Sequence, residues 1–251
     1  LFENTNGSFA DVAGTALVAD GGTGGGVAWA DYDNDGDLDL YLVNQGGANI
    51  LYKNNGGIFS QVGSGSDPIN DAGNGKHAVW GDYNNDGFVD LYLALWAGSN
   101  RLYHHNGNDT FTDVATVVAD GANTVSAAWA DYDDDGDLDL YSANAGSANN
   151  LYRNDGGVFT FVSVGVADSR NSHSASWGDY DNDGDLDLHV ANNGQGDGLY
   201  QNDGSGAFTS VATSAQIEDP NNGVSGTWAD YDNDGNLDLH LALSGGQTDR
   251  L

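Results

Sequence analysis

An all-β chain is what this sequence predicts, and three observations predict it. Helix is opposed by 38 Gly and by frequent Asn and Asp, with no sustained 3.6-residue apolar pattern to offset them. Apolar residues alternate with polar ones at period two, as in Leu38-Asp39-Leu40-Tyr41-Leu42-Val43, the mark of a half-buried strand. One acidic nine-residue loop recurs at Asp31, Asp82, Asp131, Asp179 and Asp230, at spacings of 51, 49, 48 and 51 residues, so the 251 residues hold about five periods. Four short strands in a period of this length predict a β-propeller of five blades, each of four antiparallel strands, as a single domain over residues 1–251. A parallel β-helix would need a much shorter repeat.

The elements follow in the same order in every period. A small and apolar first strand ends at Trp29, Trp80, Trp129, Trp177 or Trp228, and the acidic loop begins two residues later. The alternating run is the second strand. A Gly/Asn turn leads to a third at Leu51-Tyr52, Leu102-Tyr103, Leu151-Tyr152 and Leu199-Tyr200, and an Asn/Asp-Gly turn leads to a fourth such as Ile58-Phe59-Ser60-Gln61-Val62. The opening Leu1-Phe2-Glu3-Asn4-Thr5-Asn6-Gly7-Ser8-Phe9 matches the third-to-fourth-strand segment from Leu151 to Phe159, while the last period stops at Asp249-Arg250-Leu251, in phase with Asn100-Arg101-Leu102. The N-terminal strand is therefore expected to close the last blade and hide its edge. The same arithmetic permits it to complete the last blade of a neighbouring copy, giving a head-to-tail polymer.

The formal charge of -32 rests on 38 acids against 6 Lys plus Arg, which leaves nothing to neutralise phosphates and excludes nucleic acid and anionic membrane surfaces as partners. Of those acids, 23 lie in the five loops and Glu occurs only at Glu3 and Glu218, so the charge is site chemistry rather than a generally acidic surface. Without Cys there is no disulfide framework. No run approaches the roughly 20 apolar residues of a membrane span, so membrane insertion is not expected. The absence of Met suggests a processed or excised segment, and zero Cys is compatible with an extracellular location.

In a loop D-x-[DN]-x-D-G-x-[LV]-D, side chains one, three and five alternate toward one centre, the glycine permits a sharp turn, and a carbonyl at seven and the Asp at nine complete an oxygen cage. Hard oxygen donors in a flexible cage suit Ca²⁺ better than Mg²⁺. Loops 31–39, 82–90, 131–139, 179–187 and 230–238 thus predict about five Ca²⁺ ions. The expected side-chain ligands are Asp31, Asp33, Asp35 and Asp39; Asp82, Asn84, Asp86 and Asp90; Asp131, Asp133, Asp135 and Asp139; Asp179, Asp181, Asp183 and Asp187; and Asp230, Asp232, Asp234 and Asp238. The expected carbonyl ligands are Asp37, Phe88, Asp137, Asp185 and Asn236; Phe88 and Asn236 show that position seven does not require an acid. The loops differ from the twelve-residue EF-hand, which ends in Glu between helices. Asp-rich turns without metal would pack four carboxylates against severe repulsion. With free Ca²⁺ tenfold above the dissociation constant, each site contributes about 1.4 kcal/mol and five about 7, comparable with the about 5 to 15 kcal/mol of a whole domain.

The unit W-[AG]-D-Y-[DN]-x-D-G-x-[LV]-D-L followed by L-Y-x-N-x-G-x-F resembles the FG-GAP/VCBS repeats of integrin α-subunit propellers and of many secreted bacterial proteins, over essentially the entire chain. The resemblance implies a propeller with calcium in the hairpin between the first two strands of each blade, and a secreted or cell-surface adhesion, glycan-binding or scaffold role. The chain departs from the seven blades of integrins in having five periods.

Nothing in the repeat demands catalysis, and the expectation is a protein that is not an enzyme. No nucleophile accompanies His77, His104, His105, His173, His189 or His240 at a recognisable spacing. His77 and His173 each lie three residues before a blade Trp, and His189 and His240 stand where Tyr41, Tyr92 and Tyr141 stand in other periods, which marks them as structural. A glycosidase would need a carboxylate pair in one cleft, and Glu3, Glu218 and the non-loop Asp residues show no such pattern. Trp96 falls in the turn after a second strand, where other periods have Gly46, Ala145, Gly194 and Gly245 or their neighbours. It is a candidate for stacking on a sugar ring or for tucking under the next blade. Asn6 and Asn108 begin N-glycosylation patterns. The expected function is an extracellular, calcium-stabilised recognition module for a glycan or protein surface. The alternative is a structural subunit of an extracellular filament or surface layer, assembled from copies that share the N-terminal strand.

Overall fold

The computed structural model describes residues 1–12, 22–63, 67–114, 118–162, 165–213, 217 and 222–245. A hairpin of β1 (Phe2–Thr5) and β2 (Ser8–Asp11) comes first. The first full sheet is β3 (Gly24–Ala30), β4 (Asp39–Asn44), β5 (Ile50–Asn55) and β6 (Ile58–Gln61). The second is β7 (Gly75–Gly81), β8 (Asp90–Leu95), β9 (Arg101–His105) and β10 (Phe111–Asp113), and the third is β11 (Thr124–Ala130), β12 (Asp139–Asn144), β13 (Asn150–Asp155) and β14 (Val158–Val162). The fourth is β15 (Ser172–Gly178), β16 (Asp187–Asn192), β17 (Gly198–Asn202) and β18 (Phe208–Ser210), and β19 (Gly223–Ala229) with β20 (Asp238–Leu243) ends the series. A single 3₁₀ turn, Pro68–Asn70, is the one helical element among the described residues, and none of these could cross a membrane as a helix.

Each sheet is an antiparallel meander in chain order, as the turn spacing predicts. The register repeats too, since Trp29, Trp80, Trp129, Trp177 and Trp228 lie opposite Leu40, Leu91, Leu140, Leu188 and Leu239. The first strand of every sheet after the opening hairpin carries a bulge near its start, between Gly24 and Gly26, Gly75 and His77, Thr124 and Ser126, Ser172 and Ser174, and Gly223 and Ser225. An extra residue at this point bends the strand and increases its twist in the same way in each repeat.

The alternating runs predict half-buried second strands, and here the structure differs. Every residue of β8, β12 and β16 is buried. The reason is stacking. The first strands β3, β7, β11, β15 and β19 adjoin in series, so a second strand has a neighbouring sheet on each face and both side-chain sets are covered. Aromatic triads fill the interfaces. Tyr32 stacks on Trp80 with centroids 6.3 Å apart at 16°, and Phe111 wedges against both at 5.8 and 6.2 Å. Two sheets on, Tyr132, Trp177 and Phe208 repeat the arrangement at 6.3, 5.6 and 6.1 Å. The buried Tyr41 and Tyr141 hydroxyls donate to the carbonyls of Ile69 and Val166 at 2.8 and 3.1 Å, whereas the Tyr32 hydroxyl and the Trp80 and Trp177 indole N–H groups are buried without a hydrogen-bond partner among the described residues.

The expected closing strand is not formed among the described residues. The opening residues do form a third-to-fourth-strand hairpin, for Phe2 pairs with Asp11 at the offset that joins Tyr152 to Phe161. Leu1 packs on Leu40, Tyr52 and Phe59 of the first sheet, the face that Leu91, Tyr103 and Phe111 present in the second. The hairpin thus stands where the outer half of a preceding sheet would stand. Among the described residues, however, β20 pairs with β19 and not with β1, so there are four four-stranded and two two-stranded sheets rather than five blades of four. Asp249, Arg250 and Leu251 lie outside the described residues. The ends also leave Trp29 44% and Tyr231 60% exposed, whereas Tyr32 and Tyr132 within the series are buried.

The fourth sheet substitutes one buried pair for another. In the first and third sheets a core Tyr is followed eight residues later by Asn49 or Asn149, whose Oδ1 accepts a strand N–H at 2.8 or 2.7 Å. In the fourth these places hold His189 and Asp197, both 0% exposed, with Nε2 and Oδ2 3.7 Å apart, and Asp197 Oδ1 still accepts from Asn192 N at 2.7 Å. The facing strand offers Gly226, where a Cβ would collide with the His189 ring, while other interfaces have Ala78 and Ala127. Gly226→Ala is expected to cost about 1–3 kcal/mol by overpacking. Gly121→Ala, where a Cβ meets nothing, should stay within about 0.5 kcal/mol, both read from urea denaturation at fixed calcium.

Candidate metal centres

Each acidic loop links the first strand of a sheet to the second, and its backbone is folded by its own carboxylates. Position one accepts two N–H donors, from position five and from the glycine at six: Asp31 at 2.9 and 2.9 Å, Asp131 at 3.1 and 2.9 Å, Asp179 at 3.1 and 3.1 Å, Asp230 at 3.0 and 3.0 Å, and Asp82 at 3.1 and 2.8 Å. Position five accepts from the N–H of position seven, as Asp35 does from Asp37 at 3.0 Å. The sixth residue must be glycine for its backbone and not for space. Gly36, Gly87, Gly136, Gly184 and Gly235 have φ between 91° and 101°, and a Cβ on any of them would meet nothing within 4 Å.

The ninth residue is the anchor. Asp39, Asp139 and Asp187 are 0% exposed at the start of the second strand. One oxygen accepts the N–H of the loop tyrosine, at 3.0, 3.0 and 3.1 Å from Tyr32, Tyr132 and Tyr180. The other accepts a third-strand N–H, at 2.8, 2.7 and 2.8 Å from Asn54, Asn154 and Asn202. Burial nevertheless pushes these carboxyls up, Asp39 to about 6, Asp139 to about 7 and Asp187 to about 6, with the backbone donors pulling the other way.

These constraints gather the predicted ligands. Carboxylate oxygens of Asp31, Asp33 and Asp39 lie within 4.8 Å of one another, as do those of Asp131, Asp133 and Asp139 and those of Asp179, Asp181 and Asp187. In the last loop the gathered set is Asp230, Asp232 and Asp234, so position five takes the place of nine. Loop 82–90 forms no such set of three carboxylates among the described residues, because Asn84 replaces the third acid. The residues fit a hard cation. The donors are all oxygen, and the buried Asp133 Oδ1 has no hydrogen-bond partner, which leaves an anionic atom aimed at its neighbours with nothing to offset it.

Three roles escape the sequence pattern. The side chain at position seven is not idle: Asp37 and Asp137 accept the N–H of the next hairpin's glycine, Gly56 at 2.8 Å and Gly156 at 2.6 Å, and Phe88 packs on His105 at 5.1 Å. Position four, left-handed in every loop at φ 56° to 61°, reaches the following loop. Asn34 donates to Gly87 O at 3.1 Å, Asn85 to Gly136 O at 3.3 Å and to Asp137 at 2.7 Å, and Asn182 to Asn236 at 3.0 Å. The residue after each third-strand Leu-Tyr leans over the cage, with Lys53 paired to Asp33 and Gln201 donating to Asp181 at 2.6 Å.

The remaining candidates sit elsewhere. Trp96 is 36% exposed at the end of its strand opposite the loops, with Lys76 Nζ 5.3 Å from its ring centroid. Asn6 and Asn108 lie on exposed hairpin turns, Asn108 accepting from Thr110 Oγ1 at 2.6 Å. His77 accepts from Ala127 N at 3.3 Å across an interface, and burial lowers both His77 and His173. Glu3 is exposed on β1, and Glu218 lies outside the described residues.

Residues 31–93, 82–142, 131–190 and 179–241 each match the family described as FG-GAP-like repeat. The chain is 33% identical over 99 residues to cartilage acidic protein 1 of Xenopus tropicalis, covering 38% of this chain and 15% of that protein. With the Mus musculus protein of the same name it shares 30% over 110 residues, 42% of this chain and 17% of the other. It therefore spans less than a fifth of the length of these curated relatives. Among solved structures it superposes on the V. cholerae biofilm matrix protein Bap1 with a TM-score of 0.52 at 16% identity, over 88% of this chain and 35% of that one. On BBS1N in complex with ARL6DN the TM-score is 0.56 at 14% identity, over 88% and 64% of the two chains. At such identities the likeness is one of fold.

The raised ninth-position carboxyls set a pH dependence. Without metal, the folded state holds more protons than the unfolded state between about pH 4 and 7, so stability should fall as pH rises through that window. A bound cation requires these groups ionised, so in calcium the slope should reverse, stability being lost as pH falls through 7 toward 4. Thermal melts at a series of pH values in chelator and in calcium check both signs.

Proposed function

Because the chain belongs to the FG-GAP-like repeat family, we propose that it is an extracellular, calcium-stabilised and non-catalytic propeller module that recognises a glycan or protein surface. The observation that carries this reading is the convergence of three carboxylates in each of four loops, with burial raising the anchoring Asp39, Asp139 and Asp187. Calcium takes up that charge and ties first, second and third strands together at each anchor. Each anchor spans two of the three strand connections of a four-stranded sheet, so the cation acts as a staple in a chain without Cys. The extracellular assignment is supported by likeness to proteins whose names place one in cartilage and another in a biofilm matrix. Trp96, half-exposed at the end of the sheets away from the calcium loops, supplies an aromatic face of the kind that stacks on sugar rings.

A second reading makes copies of the chain the partner, in a filament built through the shared hairpin. Its supporting observation is that β1–β2 has the form of an outer half-sheet and β19–β20 that of an inner one. Light scattering with calcium and after chelation separates the readings: a concentration-independent monomer removes the filament, and assemblies that dissolve on chelation favour it.

With calcium as the sole divalent ion, calorimetric titration is expected to find about five equivalents, and chelation should lower the melting temperature by tens of degrees. Asp139→Asn should remove one equivalent and lose more stability in calcium than in chelator. An array of glycans and matrix proteins tests recognition. Loss of a hit with Trp96→Ala, at unchanged calcium stoichiometry, assigns the binding face, and an array without hits overturns the recognition role.

A further inference from the structure

Loop 82–90 departs from its neighbours in one consistent direction. Its third position is Asn84, so three acids remain in the cage where loop 31–39 has four ligand acids. The third-strand residue that leans over the cage is His104, where the other loops have Lys53, Arg153 and Gln201. Lys53 and Arg153 have no lone pair to offer a metal, and Gln201 turns its amide N–H toward Asp181. His104 points Nδ1 inward, 3.1 Å from Asp90 Oδ1, 3.1 Å from Asn84 Nδ2 and 3.9 Å from Asp86 Oδ2. The Tyr83 ring meets the imidazole edge-on at 6.4 Å and 79°, which holds its plane.

With Asp90 ionised, no arrangement of protons on His104 and Asn84 satisfies this group. Asn84 Oδ1 accepts the Asp86 N–H at 3.0 Å, so the amide must present its NH₂ to His104. A bare Nδ1 accepts from that NH₂ but faces the Asp90 carboxylate with a lone pair. A protonated Nδ1 donates to Asp90 but faces the NH₂ with another hydrogen. Flipping the amide sets its NH₂ against the Asp86 N–H. Meanwhile Asp90, 0% exposed, leaves Oδ2 without any hydrogen-bond partner, whereas the matching oxygens of Asp39, Asp139 and Asp187 accept a tyrosine N–H. A divalent ion among Nδ1 and the carboxylates gives every lone pair an acceptor and neutralises the buried Asp90.

We propose that loop 82–90 together with His104 is a mixed nitrogen–oxygen site that takes a borderline divalent ion of the zinc class in preference to calcium. One imidazole and three carboxylates, Asp82, Asp86 and Asp90, of which no three lie mutually within 4.8 Å until an ion draws them in, would make a donor set that calcium, which favours oxygen alone, does not match and that Zn²⁺ and Co²⁺ do. The inference deepens the calcium-loop reading for one of its five loops and rests on it.

The test uses Co²⁺, then Zn²⁺, on the full chain held in excess calcium. One equivalent of Co²⁺ should bind, give a visible ligand-field spectrum and be displaced by one equivalent of Zn²⁺. His104→Gln should weaken that binding by at least about tenfold while calcium uptake by the other loops is unchanged. If the variant does not fold, imidazole NMR of the wild-type protein decides, since His104 alone among the six histidines should shift with one equivalent of Zn²⁺. Calcium uptake with no retained Co²⁺, retention indifferent to His104→Gln, or a shift at another histidine overturns the proposal and leaves the calcium reading standing. Failure of calcium to bind at any loop removes that reading instead, and His104-dependent Co²⁺ binding would then stand alone.

Discussion

The buried carboxylate at the ninth loop position is the contact on which the rest of each sheet depends. Asp39 receives one N–H from its own loop at Tyr32 and one from the third strand at Asn54, so a single side chain sets the loop's exit, the second strand's start and the third strand's register. Asn54 completes the tie by donating to Leu38 O at 3.0 Å. Such an anion, taken from water into a sheet stack, is tolerated because donors surround it on two sides and a cation can approach on the third. The acidity of the chain follows from this: a fixed anion needs a counter-ion, and the other loop acids recruit it.

Between sheets the backbone pairs only at isolated bridges such as Gln45–Asn74 and Ala145–Asn171 among the described residues, and interlocked side chains fill the rest. Tyr32, Trp80 and Phe111 fill one interface, and Tyr132, Trp177 and Phe208 another with nearly the same angles. Two asparagine side chains also cross, Asn154 to Tyr83 O at 2.6 Å and Asn202 to Tyr132 O at 2.7 Å. Because each sheet touches chiefly its neighbours, stability is a sum of local interfaces, in the manner of repeat proteins. Local variation is then possible without global disruption, as the exchange of a Tyr–Asn pair for His189 and Asp197 opposite Gly226 illustrates.

Strand positions, turn positions and the converging acids of the loops were legible because each follows from local chemistry repeated at fixed spacing. Trp29 opposite Leu40, the glycine at Gly36 and the burial of Asp39 are all consequences of one period read along the chain. What could not be read is what depends on the next sheet. The second strands read as half-buried from the period-two pattern, yet in β8 a second sheet covers the other face of Leu91-Tyr92-Leu93-Ala94. The inward turn of His104 is invisible because its partners Asn84 and Asp90 are 20 and 14 residues away and meet it only across the folded meander. Pairing of the first strand with the last rests on no local rule at all. The opening hairpin instead satisfies itself through β2 and the first sheet's apolar face.

The asparagines at the fourth loop position give the rim a mechanical character. Asn34 grips the second loop and Asn85 the third, so those three loops form one linked strip, and Asn182 joins the fourth to the fifth as another. Between the strips the fourth position is Asp134, an acid with no N–H to lend. The chain of loop-to-loop hydrogen bonds is therefore interrupted at Asp134, and there the third and fourth sheets are held instead by the Asn202 bond to Tyr132 O and the Tyr132, Trp177 and Phe208 rings.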